Sequence, residues 1–275
     1  MSNIKLGIDE CLSYSKKILK FVDLIELRGV NLENCQRLLK YKKPLLLHFS
    51  YNPLTNKPIF IANENLNKFL ISSKIKKMIS CSSFPWISFH LGLPVSKFKV
   101  DENKNFIAAS SPLTKLQFFK KVSQALQKIK KTYPQHKILL EIPPLLPHSI
   151  SKGAYFYISD PDFVSEIVKK NDCYFLLDIA HLIVNANNLG YKNPKDFIKK
   201  LPLDKTIEVH IHHPIYDKKL GYFRDAHLPI TDKEIKLLKW ILGKAKNLKA
   251  IVLESQGQHQ ENVLIKELEI LRSLT

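Results

Sequence analysis

Along the chain, one potential metal ligand after another stands behind a run of apolar side chains. His48 closes Leu-Leu-Leu-His and His90 closes Ile-Ser-Phe-His. Glu141 lies in Leu-Leu-Glu-Ile, and Asp178 and His181 share Leu-Leu-Asp-Ile-Ala-His. His210 follows Ile-Glu-Val, Asp225 and His227 flank Ala226, and Glu254 closes Ile-Val-Leu-Glu. Any one of these residues has an ordinary explanation: a strand-end histidine is commonly satisfied or exposed, and a lone carboxylate solvated. The succession is different, because six strands in turn end in such a residue and no strand end in this stretch carries Lys. Four carboxylates brought to one place repel one another and need cations beside them. Five imidazoles without a cysteine suit divalent transition metals. Nine candidate ligands exceed the roughly four to six that one such ion takes, so two or three carboxylate-bridged ions are expected. Structural zinc sites are usually closed and rich in Cys. A Cys-free cluster of this size therefore points to catalysis.

The elements that carry these residues alternate. Short apolar or β-branched runs fall at 4–8, 21–28, 44–48, 86–90, 138–142, 174–178, 206–212 and 250–254, with helix-like spacing between them. The clearest helix spans 113–133, where Leu116, Phe119, Val122, Leu126 and Ile129 recur every three or four residues. A second, 231–246, opens on Thr231 with Glu234 three residues later, a capping box. Asp160-Pro161 introduces a third at 162–170. Eight strands alternating with helices over 275 residues predict an α/β protein, a single (β/α)8 TIM barrel. No linker or repeat divides residues 1–275, which read as one domain. A doubly wound sheet is the alternative, but no Gly-rich phosphate loop accompanies an early strand. In a barrel the C-terminal ends of the strands form the active site, and that is where the nine candidates fall.

Composition excludes other classes. Apolar residues make up 45% of the chain, too many for disorder, and eight glycines exclude Gly-rich repeats. Four scattered cysteines (Cys11, Cys35, Cys81, Cys173) form no CxxC pair and read as buried thiols. No apolar run reaches a membrane span, and the first residues lack a signal-peptide core, so the expected location is the cytoplasm. The net charge of +18 invites nucleic acid. Yet only four of the 43 basic residues are Arg (Arg28, Arg37, Arg224, Arg272), the residue that base edges and phosphates favour. A solvated Lys-rich surface is the expectation.

Other polar residues receive plainer readings. His212 shares the strand face of His210 and lies near the site or just behind it. His213 precedes Pro214 and reads as a loop residue, and His136, His148 and His259 are expected to be exposed. Glu26 and Glu208 lie inside apolar strands, where either orients a ligating histidine or forms a salt bridge in the barrel interior.

At these positions the sequence resembles the multinuclear non-haem iron-dependent oxidases, xylose-isomerase-like TIM barrels that include the methanobactin-maturing enzymes and modify ribosomally made peptides. The resemblance is carried by Phe175-Leu-Leu-Asp178-Ile-Ala-His181-Leu-Ile-Val-Asn185-Ala-Asn187, then Gly190-Tyr191, Pro194 to Phe197, Leu201-Pro202-Leu203-Asp204, Val209-His210, Asp225-Ala-His227 and Leu253-Glu254. Order and spacing match from Glu141 to Glu254; the N-terminal third matches more loosely through Glu26, His48 and His90. The resemblance implies two or three irons. His48, His90 and Glu141 would hold the first; Glu141, Asp178, His210 and Glu254 the second; His181, Asp225 and His227 the third. Asp178, His210 and Glu254 would be catalytic. It also implies dioxygen as oxidant, a precursor-peptide residue (often Cys) as substrate, and a separate protein that captures the leader peptide. The sequence departs from the family pattern after His48 (Phe49-Ser50), before His90 (Phe89), after Glu141 (Ile142) and at His181. Those departures bear on which peptide chemistry applies.

Two rivals share the barrel. An endonuclease IV-type abasic-site nuclease uses the same ligand types in the same order around zinc, and the basic surface would fit DNA. A sugar isomerase or epimerase usually needs fewer ligands. A metal-loaded binding protein without turnover is the non-enzyme alternative.

Overall fold

The computed structural model describes residues 4–10, 14–29, 31–52, 57–62, 66, 70–81, 84–95, 97–100, 106–145 and 156–275. Cys11 and His148 lie outside these. Eight parallel strands close into a barrel: β1 (Lys5–Asp9), β2 (Leu24–Arg28), β3 (Leu45–Phe49), β4 (Trp86–His90), β5 (Lys137–Glu141), β6 (Tyr174–Asp178), β7 (Thr206–Ile211) and β8 (Ala250–Leu253). The strands run around the barrel in chain order, and β8 pairs with β1 to close it. Every predicted strand is present; of the sixteen bounds, seven are unchanged and eight shift by one residue. The exception is β2, which starts at Leu24 instead of residue 21. Ser15 caps a short helix, α1 (Lys16–Phe21), that runs up to that point and buries Ile18.

Helices follow each strand: α2 (Leu32–Leu39), α3 (Ser73–Cys81), α4 (Lys115–Thr132), α5 (Pro161–Lys170), α6 (Ile179–Asn188) with the short α7 (Pro194–Ile198), α8 (Asp232–Leu242) and α9 (Glu261–Arg272). The expected starts hold. Thr114 and Gln117 form a capping box on α4, as Thr231 and Glu234 do on α8, and Asp160 caps α5 ahead of Pro161. The main core lies between the strands and the inward faces of the helices; Val122, Leu126 and Ile129 of α4 are buried there. A second apolar layer fills the barrel floor, with Leu24, Leu46, Trp86, Leu139, Leu176, Ile207 and Val252. Burying one such side chain stabilises by roughly 1.5–3 kcal/mol. Among the described residues no helix is long and apolar enough to cross a membrane.

Parallel register decides which strand ends become neighbours. It aligns Arg28 with His48, His90 with Glu141, and Asp178 with His210. Beyond β7 the chain forms a hairpin of His213–Asp217 and Tyr222–Leu228. Asp225 and His227 therefore sit on its second strand, outside the eight barrel strands. The hairpin is tied down by Asn188 at the end of α6. Its amide donates to the Phe223 carbonyl at 2.9 Å, and its oxygen accepts from the Phe223 N–H at 3.1 Å.

Candidate metal centre

The C-terminal mouth of the barrel gathers all nine candidates, and ligand atoms of His48, His90 and Glu141 lie within 4.8 Å of one another. Glu141, Asp178 and His210 form a second such group; a third is His212, Asp225 and His227; Asp178, His181 and His212 make another. Glu254 joins them, with Oε1 3.1 Å from His210 Nδ1 and Oε2 3.3 Å from His227 Nε2. His181 Nε2 stands 3.4 Å from Asp225 Oδ2. Most of these side chains are buried; His90 and Asp225, 17% and 18% exposed, mark the open rim.

Local structure sets each of them. Asp178 ends β6 and also caps α6, its Oδ1 accepting from the His181 N–H at 2.8 Å. One carboxylate oxygen is thus committed to the backbone while the other faces the cluster. Asn185, one turn after His181, accepts from the Leu145 N–H and donates to the Pro143 carbonyl at 3.2 Å, pinning the segment that follows Glu141. Gly92, just past His90, has φ +88°, and a Cβ there would lie 2.3 Å from Phe60 Cβ. Only glycine fits both the backbone and that approach.

His48 and His210 each have one ring nitrogen tethered away from the cluster and the other turned into it. His48 Nδ1 meets Ser88 Oγ at 2.9 Å, and its Nε2 faces Glu141 at 3.3 Å. His181 Nδ1 meets the Ile142 carbonyl at 3.1 Å. His210 Nε2 is 2.9 Å from Glu26 Oε1 and 2.9 Å from Glu208 Oε1, and Glu208 also accepts from Trp86 Nε1 at 2.7 Å. The suggestion that Glu26 or Glu208 orients a histidine thus has a geometric counterpart in both. Gln256 presents its carbonyl oxygen to His227 Nε2 at 2.9 Å and to Arg28 at 3.2 Å. Fixing one nitrogen this way selects the tautomer whose other nitrogen offers a lone pair.

Burial and charge then oppose each other. Burial drives the His48 imidazole well below its ordinary range and lifts the Asp178 carboxyl; it lifts Glu26 far above the carboxylate range. Elsewhere charge wins over burial. The imidazoles of His90, His181 and His48 hold Glu141 low, His212 and His227 do so for Asp225, and Arg28 with His210 for Glu254. Asp178 and Glu141 push His181 up, Glu26 and Glu254 push His210 up, and Asp178 and Asp225 bring His212 to about 9. A divalent cation would compete with those protons for the same lone pairs.

Four ligand-type atoms in the mouth, Glu141 Oε2, Asp178 Oδ2, His210 Nδ1 and His212 Nδ1, are buried and make no hydrogen bond among the described residues. Buried polar atoms are rarely left so. Hard oxygens and borderline nitrogens are the donor set of iron, zinc or manganese, so the residues fit such ions.

Sequence reading underrates three residues. His212 is fully buried within the cluster, its ring stacked on His227 with centroids 4.1 Å apart. Arg28 reaches Asp9 at 3.3 Å and Glu254 at 3.5 Å. His259, expected to be exposed, has a side chain only 2% exposed and contacts the His227 carbonyl. By contrast, His213 lies off the cluster, 3.1 Å from Glu234, and His136 is half-buried with its ring 6.3 Å from that of Tyr133. Beside the mouth a cavity of about 580 Å³ is lined by Glu10, Asn34, Arg37, Gln256 and His259, among others.

A closed (β/α)8 barrel thus gathers convergent carboxylates and imidazoles at its C-terminal mouth as a candidate metal-binding site. The chain belongs to the family described as RiPP precursor modification enzyme MbnB/TglH/ChrH, whose model matches residues 62–275; RiPP denotes a ribosomally synthesised, post-translationally modified peptide. A UPF0276 protein of Caulobacter vibrioides is 26% identical over 138 residues, 49% of this chain and 48% of that one. The chain spans about half the length of the curated relatives it matches. The fold is shared with 3-keto-D-glucoside 4-epimerase from E. coli (TM-score 0.60, 16% identity, 98% of this chain and 100% of that one). It is also shared with an AP endonuclease, family 2, from Brucella melitensis (TM-score 0.57, 10% identity, 98% and 97%). Such likenesses establish the xylose-isomerase-like barrel.

Proposed function

We propose that the chain is an iron- and dioxygen-dependent oxidoreductase that modifies a residue, expected to be Cys, of a ribosomally synthesised precursor peptide in the cytoplasm. The carrying observation is the convergence of buried carboxylate oxygens and imidazole nitrogens on one mouth, four of them making no hydrogen bond among the described residues, in a chain of a peptide-modifying family. His48, His90 and Glu141 would hold one iron; Glu141, Asp178, His210 and Glu254 a second; His181, Asp225 and His227 a third, with zinc the alternative metal. Iron so held supplies redox and Lewis-acid chemistry.

The protein's own contribution is positioning. Ser88, Glu26, Glu208, Gln256 and the Ile142 carbonyl fix ring orientations in advance, so little reorganisation remains when substrate arrives. Asp178, His210 and Glu254, at the centre, are the residues on which reaction depends most. The buried floor excludes water, and the rim at His90 and Asp225 leaves access from one side. The cavity beside Gln256 gives room for residues flanking the modified one. The basic surface suits an acidic leader peptide or a separate acidic partner that presents it.

Co-expression with a short Cys-containing peptide encoded nearby, followed by mass spectrometry, tests this. A mass change that needs both the chain and dioxygen is expected. An unaltered peptide, together with zinc and cleavage of abasic DNA, would overturn it.

A further inference from the structure

We propose that His212 is a tenth metal ligand, binding through Nδ1 the ion shared by Asp178 and Glu254, and that Asp225 fixes the tautomer that makes this possible. The inference rests on the multinuclear reading above but adds a residue that the nine-residue series leaves out.

Three observations carry it. His212 is fully buried, and its Nδ1 makes no hydrogen bond among the described residues. That nitrogen faces two carboxylate oxygens, Glu254 Oε2 at 3.3 Å and Asp178 Oδ2 at 3.7 Å, the second of which is also unpartnered. Ligand atoms about 2.1 Å from a tetrahedral ion stand roughly 3.4 Å apart, so the spacing suits one ion among the three. The other ring nitrogen, Nε2, lies 2.6 Å from Asp225 Oδ1. A carboxylate can only accept, so Nε2 keeps its proton and Nδ1 is the nitrogen whose lone pair a cation would take, the arrangement metal-binding histidines adopt.

The ring cannot swing away. It is stacked on His227 at an interplanar angle of 7°. Its position on the strand follows from alternation: His210 and His212 project to the same face of the chain, into the barrel mouth. His210 Nδ1 reaches Glu254 Oε1 while His212 Nδ1 reaches Oε2, so the two histidines grip one carboxylate from either side. Asp225 thereby serves two places. Its Oδ1 holds His212, and its Oδ2 lies 3.4 Å from both His181 and His227. The ion among Asp178, His212 and Glu254 is coupled to the neighbouring position through that carboxylate.

The test is anaerobic titration of the metal-stripped full chain with Fe2+ and, separately, Co2+, read as ions bound per chain and as the Co2+ ligand-field spectrum. Wild type is compared with His212→Phe, which keeps a stacked ring, and with His212→Ala; thermal melts confirm folding. The expected result is a weakening of one site by about tenfold or more in both folded variants. A Co2+ spectrum altered by loss of one imidazole should accompany it, and Asp225→Asn should weaken that same site as well as its own. Folded His212 variants with unchanged stoichiometry, affinity and Co2+ spectrum would overturn the proposal while leaving the multinuclear reading intact. A wild-type chain that binds no Fe2+ or Co2+ would overturn both.

Discussion

His259 Nε2 donates to the main-chain carbonyl of His227 at 2.8 Å, and Glu267 holds the opposite ring nitrogen at 2.8 Å. His227 needs such support, because its φ of +46° lies in the left-handed region that a side chain makes costly. Burial opposes a charge on His259, but the hydrogen bonds to Glu267 and to the His227 carbonyl raise its pKa, so the ring donates from both nitrogens. Glu267 also accepts from the Ile230 N–H at 2.7 Å, locking the end of the hairpin to α9. Replacing His259 with Ala is expected to cost about 1–3 kcal/mol in urea unfolding. It should also weaken the site that contains His227 about tenfold. Equal metal affinity in wild type and variant would show that His227 is held by other contacts.

At the barrel floor Glu208 accepts from Trp86 Nε1 and from His210 Nε2. Gln in its place offers one acceptor and one donor group to two donors, so either Trp86 Nε1–H loses its acceptor or the amide donor is set against His210 Nε2–H, which keeps only Glu26. Glu208→Gln should lower stability by about 1–3 kcal/mol. Trp86→Phe in the same background should recover part of that loss, because it removes one of the two donors. A double-mutant cycle with no coupling would contradict this arrangement.

Gly92→Ala places a methyl group against Phe60 in a backbone conformation that disfavours it. Phe60 bridges to His90, whose carbonyl accepts from the Ile61 N–H at 3.0 Å. The substitution is expected to cost about 1–3 kcal/mol and to disturb the His48–His90–Glu141 group. Chemical denaturation together with metal counting checks both effects.

Asp23 joins strand β2 to the end of α9, accepting from Arg272 Nη1 at 2.9 Å and from the Leu6 N–H at 2.9 Å. Partial burial raises its pKa, but Arg272 and the Leu6 N–H outweigh that and hold it below 3.8. A depressed carboxylate stabilises the fold fully above its unfolded value and loses that contribution as pH falls through the folded one. Both partners are about one-third exposed, so Asp23→Asn should cost only about 0.5–1 kcal/mol at pH 7. The difference from wild type should shrink and then vanish as pH falls through the folded value, as urea titrations at several pH values would show.

The barrel was legible because each strand is a short apolar run and the clearest helices between them, α4, α5 and α8, carry their own periodicity and caps. Strand ends could be read for the same reason: the last polar residue of a buried strand has only the mouth to occupy, and the structure brings all nine of the candidates there. What sequence could not supply was tertiary. Residues 21–23 read as strand because they are apolar-leaning, yet Ser15 starts a helix that consumes Phe21. The polar neighbours of His259 suggest exposure, but its partners, His227 and Glu267, come from other elements. His212 has the parity to enter the site, and only the fold reveals Asp225 on one side of its ring and Glu254 on the other. Arg28 and Gln256 carried no signal, since their contacts with Glu254 and His227 arise from barrel closure.

The most direct test of the central claim is the metal content of the chain purified without oxygen, by elemental analysis, with Mössbauer spectra of 57Fe-grown protein. Two or three irons per chain are expected, with at least one pair magnetically coupled through a shared carboxylate. Stoichiometric zinc with no bound iron, or a chain free of metal after anaerobic reconstitution, would contradict it.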